Sequence, residues 1–577
     1  MAAIPRWDLS PIYPSLASEQ YAFDLKEVVS LANTLEEELA SPSCDIAEAV
    51  YSYERILDYV ENLNAYSTCL LTTETGNPVF LKAVNRLEEE ALVVQRLEVL
   101  FLNFLKEHEQ ELSLLTKDGE PLASYRYVLG ELLEEQEHLM ATELENLASD
   151  LARSGTDAFS RLQEAISSSA AGEGGKTVVH LRNEAFHQDR AVRKAAFEEE
   201  LAIWKTHEVA FAAALNGVKG TTITLDKARS YASPLERSLK QSRIEAGVLS
   251  ALITTIEKNL PMFRGYLKTK AKTLKLDSCT FYDLFAPVGT GGKSYTFSEA
   301  RSFIIRQFSL FSPEMGSFAE KAFTNNWIDA EPRKGKVGGA YDTSFPLAQE
   351  SRILSNFDGS FNGLSTLAHE LGHAYHDSVV LPQSNLLRSY PMTLAETASI
   401  FSEYVVFQGA ISDCSPEERL TLIEHFLQDT TQVCVDILSR FYFESGLFEA
   451  RIEGELVADE LSALMLDAQK RSYGDALSVY HPYMWAVKGH YYSSDLSFYN
   501  YPYAFGQLFA LGLYAQKEKD GPGFAAKYRA LLEKTGSASV QEVALVLGCD
   551  ITSEAFWQEG MGLIASYAQE FADASNH

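Results

Sequence analysis

The sequence predicts a mainly α-helical protein with a small β-hairpin. Apolar residues recur at intervals of three and four over long stretches of the 577-residue chain, which is the spacing of one face of a helix. The alternation typical of strands is confined to a few short segments. Hydrophobic residues make up 46% of the chain, which is enough for the cores of two large lobes or more.

The first half of the chain shows the helical pattern most clearly. Residues 18–116 predict three long helices, and Gly76-Asn77-Pro78 separates the second from the third. The third helix carries an apolar stripe that we interpret as packing: Val84, Leu87, Ala91, Val94, Leu97, Phe101 and Phe104. Further helices are predicted in three places: 119–168, from Asp189 onward, and 242–274. The β-branched run Thr177–Leu181 predicts a short strand.

The middle of the chain contains the hairpin pattern. Lys334–Phe357 includes several glycines among alternating residues, and its end, Arg352–Phe357, is typical of a strand. Two interpretations stay open. The hairpin presents an exposed edge that pairs with an extended peptide, or it supports the helix that follows.

That following helix contains the motif His369-Glu370-Leu371-Gly372-His373. Ser360–Ser365 offers several N-caps, and no proline interrupts Leu364–Val380. Histidines four residues apart project from one face of a helix, close enough to hold one tetrahedral zinc ion. The glutamate beside the first histidine is placed to accept a proton from water that the metal activates. A buried helix with locally bonded histidines is the alternative.

A catalytic zinc site needs a third protein ligand. Glu396 is our candidate, because it begins a second helical pattern after a loop that contains Pro382 and Pro391. His376 also returns to the face of His369, but the helical rise places it roughly 10 Å along the axis. We therefore interpret His376 as a capping or substrate-side residue. Glu403, seven residues beyond Glu396, is a candidate acceptor that orients a ligand histidine.

The motif His369–His376, followed by Ala395-Glu396, resembles the thimet oligopeptidase and oligoendopeptidase F family of zinc metallopeptidases. The likeness extends to four other segments and is greatest for the oligoendopeptidase F branch. These segments are Arg6–Tyr13, Tyr282–Pro287, Gly338–Tyr341 and Phe498–Tyr503. The resemblance implies a nearly all-helical, two-lobed zincin fold with a deep channel that admits short peptides. On this basis we expect an N-terminal helical domain over 1–194 and a catalytic domain over 195–577.

The late part of the chain is unusually aromatic, from Tyr480 to Phe505. Tyrosine hydroxyls and a histidine can donate hydrogen bonds to the oxyanion that develops on an attacked carbonyl. The resemblance implies that a histidine and tyrosines of this region face the zinc, and His490 matches that histidine. Tyr499, Tyr501 and Tyr503 each remain candidates for the tyrosine, and Tyr501 is our first choice.

Charge and cysteine content limit the partners and the compartment. The chain has 49 basic and 80 acidic residues and a net charge of −31, which opposes binding to nucleic acid or anionic membrane. Six scattered cysteines include no Cys-x-x-Cys pair, which argues against disulfides and a thiolate zinc site. The amino terminus lacks an apolar signal segment, and no stretch approaches 18 uninterrupted apolar residues. We expect a soluble cytoplasmic protein.

Together these features predict a zinc endopeptidase that cuts short oligopeptides. His369, His373 and Glu396 are the expected zinc ligands, Glu370 the general base, and His490 and Tyr501 the oxyanion donors. A zinc exopeptidase would need in addition a charged pocket for a free peptide terminus. A zinc esterase or amidase and a non-catalytic peptide-binding protein are the remaining alternatives.

Overall fold

The computed structural model describes residues 4–172, 174–289 and 293–575, and helices dominate it. The first thirteen helices are α1 (Glu19–Leu39), α2 (Ile46–Thr73), α3 (Pro78–Glu107), α4 (Glu109–Leu115), α5 (Arg126–Glu137), α6 (Thr142–Ser154), α7 (Thr156–Ser169), α8 (Val178–Asn183), α9 (Arg190–Ala228), α10 (Pro234–Gln241), α11 (Ala246–Thr273), α12 (Phe297–Phe311) and α13 (Pro313–Thr324). The prediction of three long helices over 18–116 is confirmed by α1, α2 and α3. Asn77 caps α3 and Pro78 occupies its first turn, where a missing N–H costs nothing.

Three short strands separate these helices from the rest. They are β1 (Ile328–Asp329), β2 (Tyr341–Phe345) and β3 (Glu350–Leu354). The predicted hairpin is confirmed, because β2 and β3 pair antiparallel from Tyr341 opposite Leu354 to Phe345 opposite Glu350. β1 adds a parallel partner on the other side of β3, so the strand order is β1-β3-β2 and β2 lies at an edge.

Twelve helices follow the sheet: α14 (Phe361–Val380), α15 (Asn385–Arg388), α16 (Met392–Ala395), α17 (Thr397–Asp413), α18 (Pro416–Thr431), α19 (Ile437–Glu453), α20 (Ala458–Tyr473), α21 (Met484–Val487), α22 (Tyr501–Asp520), α23 (Phe524–Lys534), α24 (Val540–Leu545) and α25 (Glu554–Ala574). A π-helical turn over Gln432–Asp436 joins α18 to α19. The predicted motif helix is α14, and Ser360 caps it by accepting a hydrogen bond from the Gly363 N–H at 3.0 Å.

The chain forms two compact units, and both are built from separate stretches of sequence. The first unit comprises residues 1–137, 292–413 and 517–549. The second comprises residues 138–291, 414–516 and 550–577. The mainly α, two-lobed fold class is therefore confirmed. The division of the sequence into 1–194 and 195–577 stays a prediction.

Each unit has its own apolar core. In the first unit, side chains of α1, α2, α3 and α5 pack together, and five of the seven residues in the predicted stripe of α3 are buried there: Leu87, Val94, Leu97, Phe101 and Phe104. In the second unit, the core joins α8 and α9 to α19, α20 and α21. The stripe was thus correctly interpreted as packing.

The predicted strand over Thr177–Leu181 is wrong. These residues begin α8, and the Thr177 hydroxyl accepts a hydrogen bond from the His180 N–H. Val178 and Leu181, three residues apart, both bury their side chains in the core of the second unit. An N-cap and one buried face outweigh the strand preference of β-branched residues. Thr177 makes only an isolated antiparallel bridge, with Ala171.

All six cysteines are free thiols, and four of them are buried. None of the helices in the described ranges combines the length and apolar character that a membrane crossing requires.

Candidate metal centre

The centre is built where α14 and α17 of the first unit touch, and Gly372 permits that contact. A Cβ at this position would stand 2.6 Å from the Ala398 carbonyl oxygen and from Ser402 Oγ, closer than any side chain tolerates. The glycine inside the histidine motif therefore lets α17 approach α14 directly. As a result, the acids at and after the start of α17 lie beside the histidines of α14.

Three side chains of the first unit converge on one point. His373 Nε2 lies 3.2 Å from His369 Nε2. Glu396 Oε2 lies 3.3 Å from His369 Nε2 and 3.6 Å from His373 Nε2. Within the described residues, these three form the one group of histidine, cysteine and acidic side chains with metal-binding geometry.

This donor set fits a tetrahedral metal ion. Ligand bonds of about 2.0–2.2 Å at tetrahedral angles place neighbouring donor atoms roughly 3.3–3.6 Å apart, and the three observed distances of 3.2, 3.3 and 3.6 Å agree with that range within about 0.1 Å. Two imidazole nitrogens at 3.2 Å have no reason to converge unless a cation or proton lies between them. Two histidines and one glutamate also form a known zinc-binding set that leaves a fourth position open.

Glu396 is held in place by its own neighbourhood. It is the residue between α16 and α17, and its Oε2 accepts a hydrogen bond from Ser399 Oγ at 2.8 Å. A serine three residues later in α17 thus fixes the rotamer of the glutamate. This carboxylate is one-fifth exposed, so it is shielded but accessible to a small ion.

The contact that we predicted between Glu403 and a histidine of the motif is also present. His369 Nδ1 lies 3.1 Å from Glu403 Oε1, on the side of the ring opposite the convergent Nε2. Burial acts to lower the pKa of His369, but Glu403, Glu396 and Glu370 outweigh it and raise that pKa to about 9. Burial and the charge of His369 lower the pKa of His373 to about 4. The acids thus create a site that attracts positive charge.

Glu370 lies on the same helix and is 6% exposed. Burial raises its pKa to about 7, with Glu396 and Glu403 adding to the rise while His369 and a backbone hydrogen bond to Asp342 oppose it. A carboxyl group with a pKa near neutrality suits proton transfer in both directions. The contact with Asp342 ties the glutamate to β2, the edge strand.

A carboxyl pair that the sequence did not reveal lies behind Glu370. Asp342 of β2 and Asp377 of α14 hydrogen-bond to each other. Burial raises the pKa of Asp377 to about 6 and that of Asp342 well above its ordinary value. The two therefore share a proton near neutral pH, which limits the negative charge next to Glu370.

His376 is not part of the cluster. It is fully buried, its Nε2 makes a 2.8 Å hydrogen bond with Thr535 Oγ1, and its ring stacks on Tyr390 with centroids 4.2 Å apart. His376 thus joins α14 to Thr535 at the end of α23, and its complete burial contradicts the substrate-side role that we considered for it.

His490 belongs to the second unit, where hydrogen bonds determine its orientation. Asn500 Nδ2 lies 2.7 Å from His490 Nε2, and Asn500 Oδ1 accepts from Arg440 Nη1 at 2.9 Å. Nε2 is thus an acceptor, and the ring proton lies on Nδ1. Burial, with repulsion from Arg440, Lys488 and Lys219, lowers the pKa of His490 to about 2, so the ring is neutral.

The three candidate tyrosines differ in burial and in the hydrogen bonds of their hydroxyls. Tyr501 is 1% exposed, and its hydroxyl lies 3.1 Å from the Ser238 carbonyl oxygen and 2.9 Å from Ser242 Oγ. Tyr499 and Tyr503 are half-buried, and their hydroxyls hydrogen-bond to each other at 2.7 Å. Tyr499 also stacks on His490, with centroids 5.4 Å apart. Burial disfavours the choice of Tyr501 as an oxyanion donor, because its hydroxyl is already engaged inside the unit.

The sequence identified His490 but not the residues that control it. Asn500 and Arg440 carry no motif, and the hydrogen bond between them joins positions 60 residues apart in sequence. One signal was available for the tyrosines. Tyr499 and Tyr503 are four residues apart, and this spacing brings their hydroxyls together across the start of α22.

Comparisons with known proteins find relatives over most of the chain. The family described as Peptidase family M3 matches residues 185–563, and Oligopeptidase F matches residues 104–170. Oligopeptidase PepF of Bacillus subtilis is 26% identical, over 95% of this chain and 84% of that protein. An oligoendopeptidase F homologue of Lactococcus lactis is 24% identical, over 95% of this chain and 93% of that protein.

Solved structures share the fold. A candidate peptidase from Chlamydophila abortus superimposes with a TM-score of 0.86 at 21% identity, covering 99% of this chain and 98% of that one. Oligoendopeptidase F from Enterococcus faecium superimposes with a TM-score of 0.69 at 18% identity, covering 96% of this chain and 99% of that one. The resemblance drawn from the motif is thereby confirmed. The chain belongs to peptidase family M3, and it is a metallopeptidase.

Proposed function

We propose that this protein is a zinc-dependent endopeptidase that hydrolyses internal bonds of short oligopeptides. The observation that carries the proposal is the convergence of His369, His373 and Glu396 within 3.2–3.6 Å of one another, with Glu370 buried beside them. The relatives named oligoendopeptidase F support the choice of peptides as substrates and of internal bonds as the point of attack.

The two histidines and Glu396 would hold the zinc ion. When bound, zinc supplies Lewis acidity, which lowers the pKa of water and polarises a carbonyl group. Glu370 accepts a proton from the attacking water and delivers it to the leaving amine. The near-neutral pKa that burial gives to Glu370 makes both transfers accessible.

His490 is the proposed oxyanion donor, through Nδ1–H. Asn500 fixes this tautomer, and the low pKa keeps the ring from competing as a cation. We assign the accompanying hydroxyl to the pair Tyr499 and Tyr503 in preference to Tyr501, because the Tyr501 hydroxyl is engaged by serines of the same unit. Each donor of this kind contributes roughly 10²–10³ in rate.

The edge strand β2 is the proposed docking site for the peptide backbone. It pairs with β3 on one side, and the N–H of its Asp342 reaches Glu370. Strand addition at such an edge tolerates varied side chains, as an oligopeptidase requires. Replacing Ala340 with proline, next to the strand, should raise KM. Unchanged kinetics in a folded A340P protein would leave β2 as support for α14.

Two expectations from the sequence stay predictions: the cytoplasmic location, and the absence of nucleic-acid and membrane partners. A net charge of −31 supports the second.

The decisive experiment is product analysis by mass spectrometry with oligopeptides blocked at both ends, with and without a chelator. Internal cuts that disappear with the chelator and return with added zinc are expected. Cleavage of unblocked peptides alone would indicate an exopeptidase. No cleavage by zinc-loaded protein would favour the peptide-binding alternative.

A further inference from the structure

A small cavity of the second unit is lined largely by aromatic side chains. It has a volume of about 260 Å³ and is formed by α8, the residues that follow α8, the first part of α9 and a segment after α11. Five rings line it: Phe186, Phe197, Phe281, Tyr282 and Phe285. Pockets that take drug-sized ligands usually measure roughly 300–1,000 Å³. The cavity therefore suits a ligand smaller than a peptide.

The rings form walls and not a single stack. The centroids of Phe186 and Phe285 are 5.0 Å apart with tilted planes, and those of Phe197 and Tyr282 are 5.3 Å apart, also tilted. Phe186 is 57% exposed, whereas Tyr282 is 9% exposed. The cavity thus extends from a ring at the surface to rings in the interior, and such walls favour a large apolar group, above all another ring.

An ion pair also lines the cavity. Arg182 Nη1 donates to Glu200 Oε1 at 2.9 Å. Glu200 is 5% exposed, and the Trp204 ring N–H at 3.0 Å and His481 Nε2 at 3.3 Å contact the same oxygen. Burial acts to raise the pKa of Glu200, but the contacts with His481, Arg182 and Trp204 outweigh it and lower that pKa to about 2. Glu200 is therefore a buried, charged carboxylate.

Both members of the ion pair have further hydrogen-bonding atoms that no described residue engages. All hydrogen bonds from the described residues to the Glu200 side chain end on Oε1, and none reaches Oε2. Arg182 donates through Nη1 alone, to Glu200 and to the Met484 sulfur, and not through Nε or Nη2. Charged groups in sheltered positions normally have their hydrogen-bonding capacity filled, because an unpaired one costs free energy. The cavity thus offers an anionic acceptor beside cationic donors.

These atoms complement the two charged groups of a free α-amino acid. The ammonium and the carboxylate of an amino acid are attached to one carbon, which places the nitrogen roughly 2.5 Å from the carboxyl carbon. The ammonium can donate to Glu200 Oε2. The carboxylate can accept from Arg182 Nε and Nη2, whose parallel N–H groups match its two oxygens. The ion pair can therefore hold both charges of the ligand while the rings surround its side chain.

We propose that this cavity binds a free α-amino acid with a large apolar side chain, and that aromatic amino acids bind most tightly. Such amino acids are the end products of peptide breakdown, so a peptidase meets them in its normal surroundings. The inference goes beyond the proposed function and does not depend on it. All the residues that carry it belong to the second unit, and none is a candidate zinc ligand.

The first test is titration calorimetry of the full-length protein with L-phenylalanine and three analogues. L-phenylalanine should bind saturably with one site per chain. L-phenylalaninamide lacks the carboxylate and N-acetyl-L-phenylalanine lacks the ammonium, and each should bind roughly 10-fold to 100-fold more weakly. L-alanine keeps both charges but lacks the ring, and its affinity should fall by a similar factor because little apolar surface is buried.

Two variants locate the binding. Arg182→Met removes the donors for the carboxylate and should weaken L-phenylalanine binding roughly 10-fold to 100-fold. Phe186→Ala removes an exposed ring of the wall, leaves the buried ion pair intact and should weaken binding roughly 10-fold. Phe23→Ala is the matched control, since Phe23 is 55% exposed on α1 of the first unit and should keep the wild-type affinity. Should Arg182→Met fail to fold, Phe186→Ala and the analogues still decide the matter.

Three results would overturn the inference. The first is the absence of saturable L-phenylalanine binding to the wild-type protein. The second is equal binding of the amide or the N-acetyl analogue, which would show that one of the two charges is not recognised. The third is wild-type affinity in folded Phe186→Ala protein, which would place the ligand elsewhere.

The same titration in the presence of a chelator separates this inference from the proposed function. L-phenylalanine should bind with unchanged affinity, because the ion pair and the rings need no metal. Loss of binding with the chelator would assign the amino acid to the metal centre and overturn the inference. Since calorimetry needs no turnover, binding supports the cavity even if the protein proves inactive, and its absence counts against the cavity even if hydrolysis is rapid.

Discussion

Two histidine environments, one in each unit, have opposite electrostatics. His369 is surrounded by Glu403, Glu396 and Glu370, which raise its pKa to about 9 despite burial. His490 is equally sheltered, but burial together with Arg440, Lys488 and Lys219 lowers its pKa to about 2. The same side chain is thus prepared to share a cation at one place and to remain a neutral hydrogen-bond donor at the other.

This difference shows that burial alone does not determine the role of a histidine. Desolvation lowers the pKa of both histidines, and the sign of the surrounding charge decides the outcome. An acidic environment suits a metal ion, and a basic environment suits a developing oxyanion. Substitutions that change one environment should therefore leave the other intact.

The largest effect is expected from Glu370→Gln, which removes the proton acceptor while keeping the shape of the side chain. Hydrolysis should fall roughly 10²–10⁴-fold. Metal content, measured by atomic absorption on purified protein, should match the wild type because Glu370 is not a ligand. Substantial residual activity would overturn the general-base role.

His490→Ala should lower kcat roughly 10²–10³-fold, since it removes a donor that acts on the transition state. Zinc content and affinity should be unchanged, in contrast with any substitution at His369. Loss of zinc from His490→Ala would contradict the contrast between the two histidines, because it would make His490 part of the metal site.

Glu403→Gln tests the acidic environment without removing a ligand. The loss of the charge that faces His369 Nδ1 should weaken zinc affinity roughly 10–100-fold, measured by competition with a chelating dye. Activity should return at saturating zinc. An unchanged affinity would mean that Glu396 alone supplies the attraction for the cation.

The smallest effect on activity is expected from Tyr501→Phe, and Tyr503→Phe is its matched partner. Removing the Tyr501 hydroxyl leaves the groups of Ser238 and Ser242 that contact it without that partner, which should cost about 1–3 kcal/mol of unfolding free energy with little change in kcat. Tyr503→Phe should instead lower kcat and leave the free energy of unfolding nearly unchanged. Urea unfolding and steady-state kinetics on both variants distinguish the tyrosine that is structural from the one that serves the reaction.

Local pattern was sufficient for much of the fold and for the metal cluster. Helical spacing and the Asn77-Pro78 boundary defined α3, and the four-residue interval placed His369 and His373 on one face because a helix repeats every 3.6 residues. The predicted strand over Thr177–Leu181 was wrong, because the strand preference of β-branched residues is local and an N-cap and a buried helical face can outweigh it.

The sequence by itself determined the motif that contains His369 and His373, the candidate third ligand Glu396 and the family. Only the tertiary structure decided which tyrosine hydroxyl is buried against Ser238 and Ser242 and which tautomer His490 adopts. The physical reason is the separation in sequence of the residues that interact. The candidate metal ligands on adjoining helices are positioned by helical periodicity and the small volume of Gly372. The charges and hydrogen-bond partners around His490 come from α9, α19 and residues 488 and 500, which are far apart in sequence.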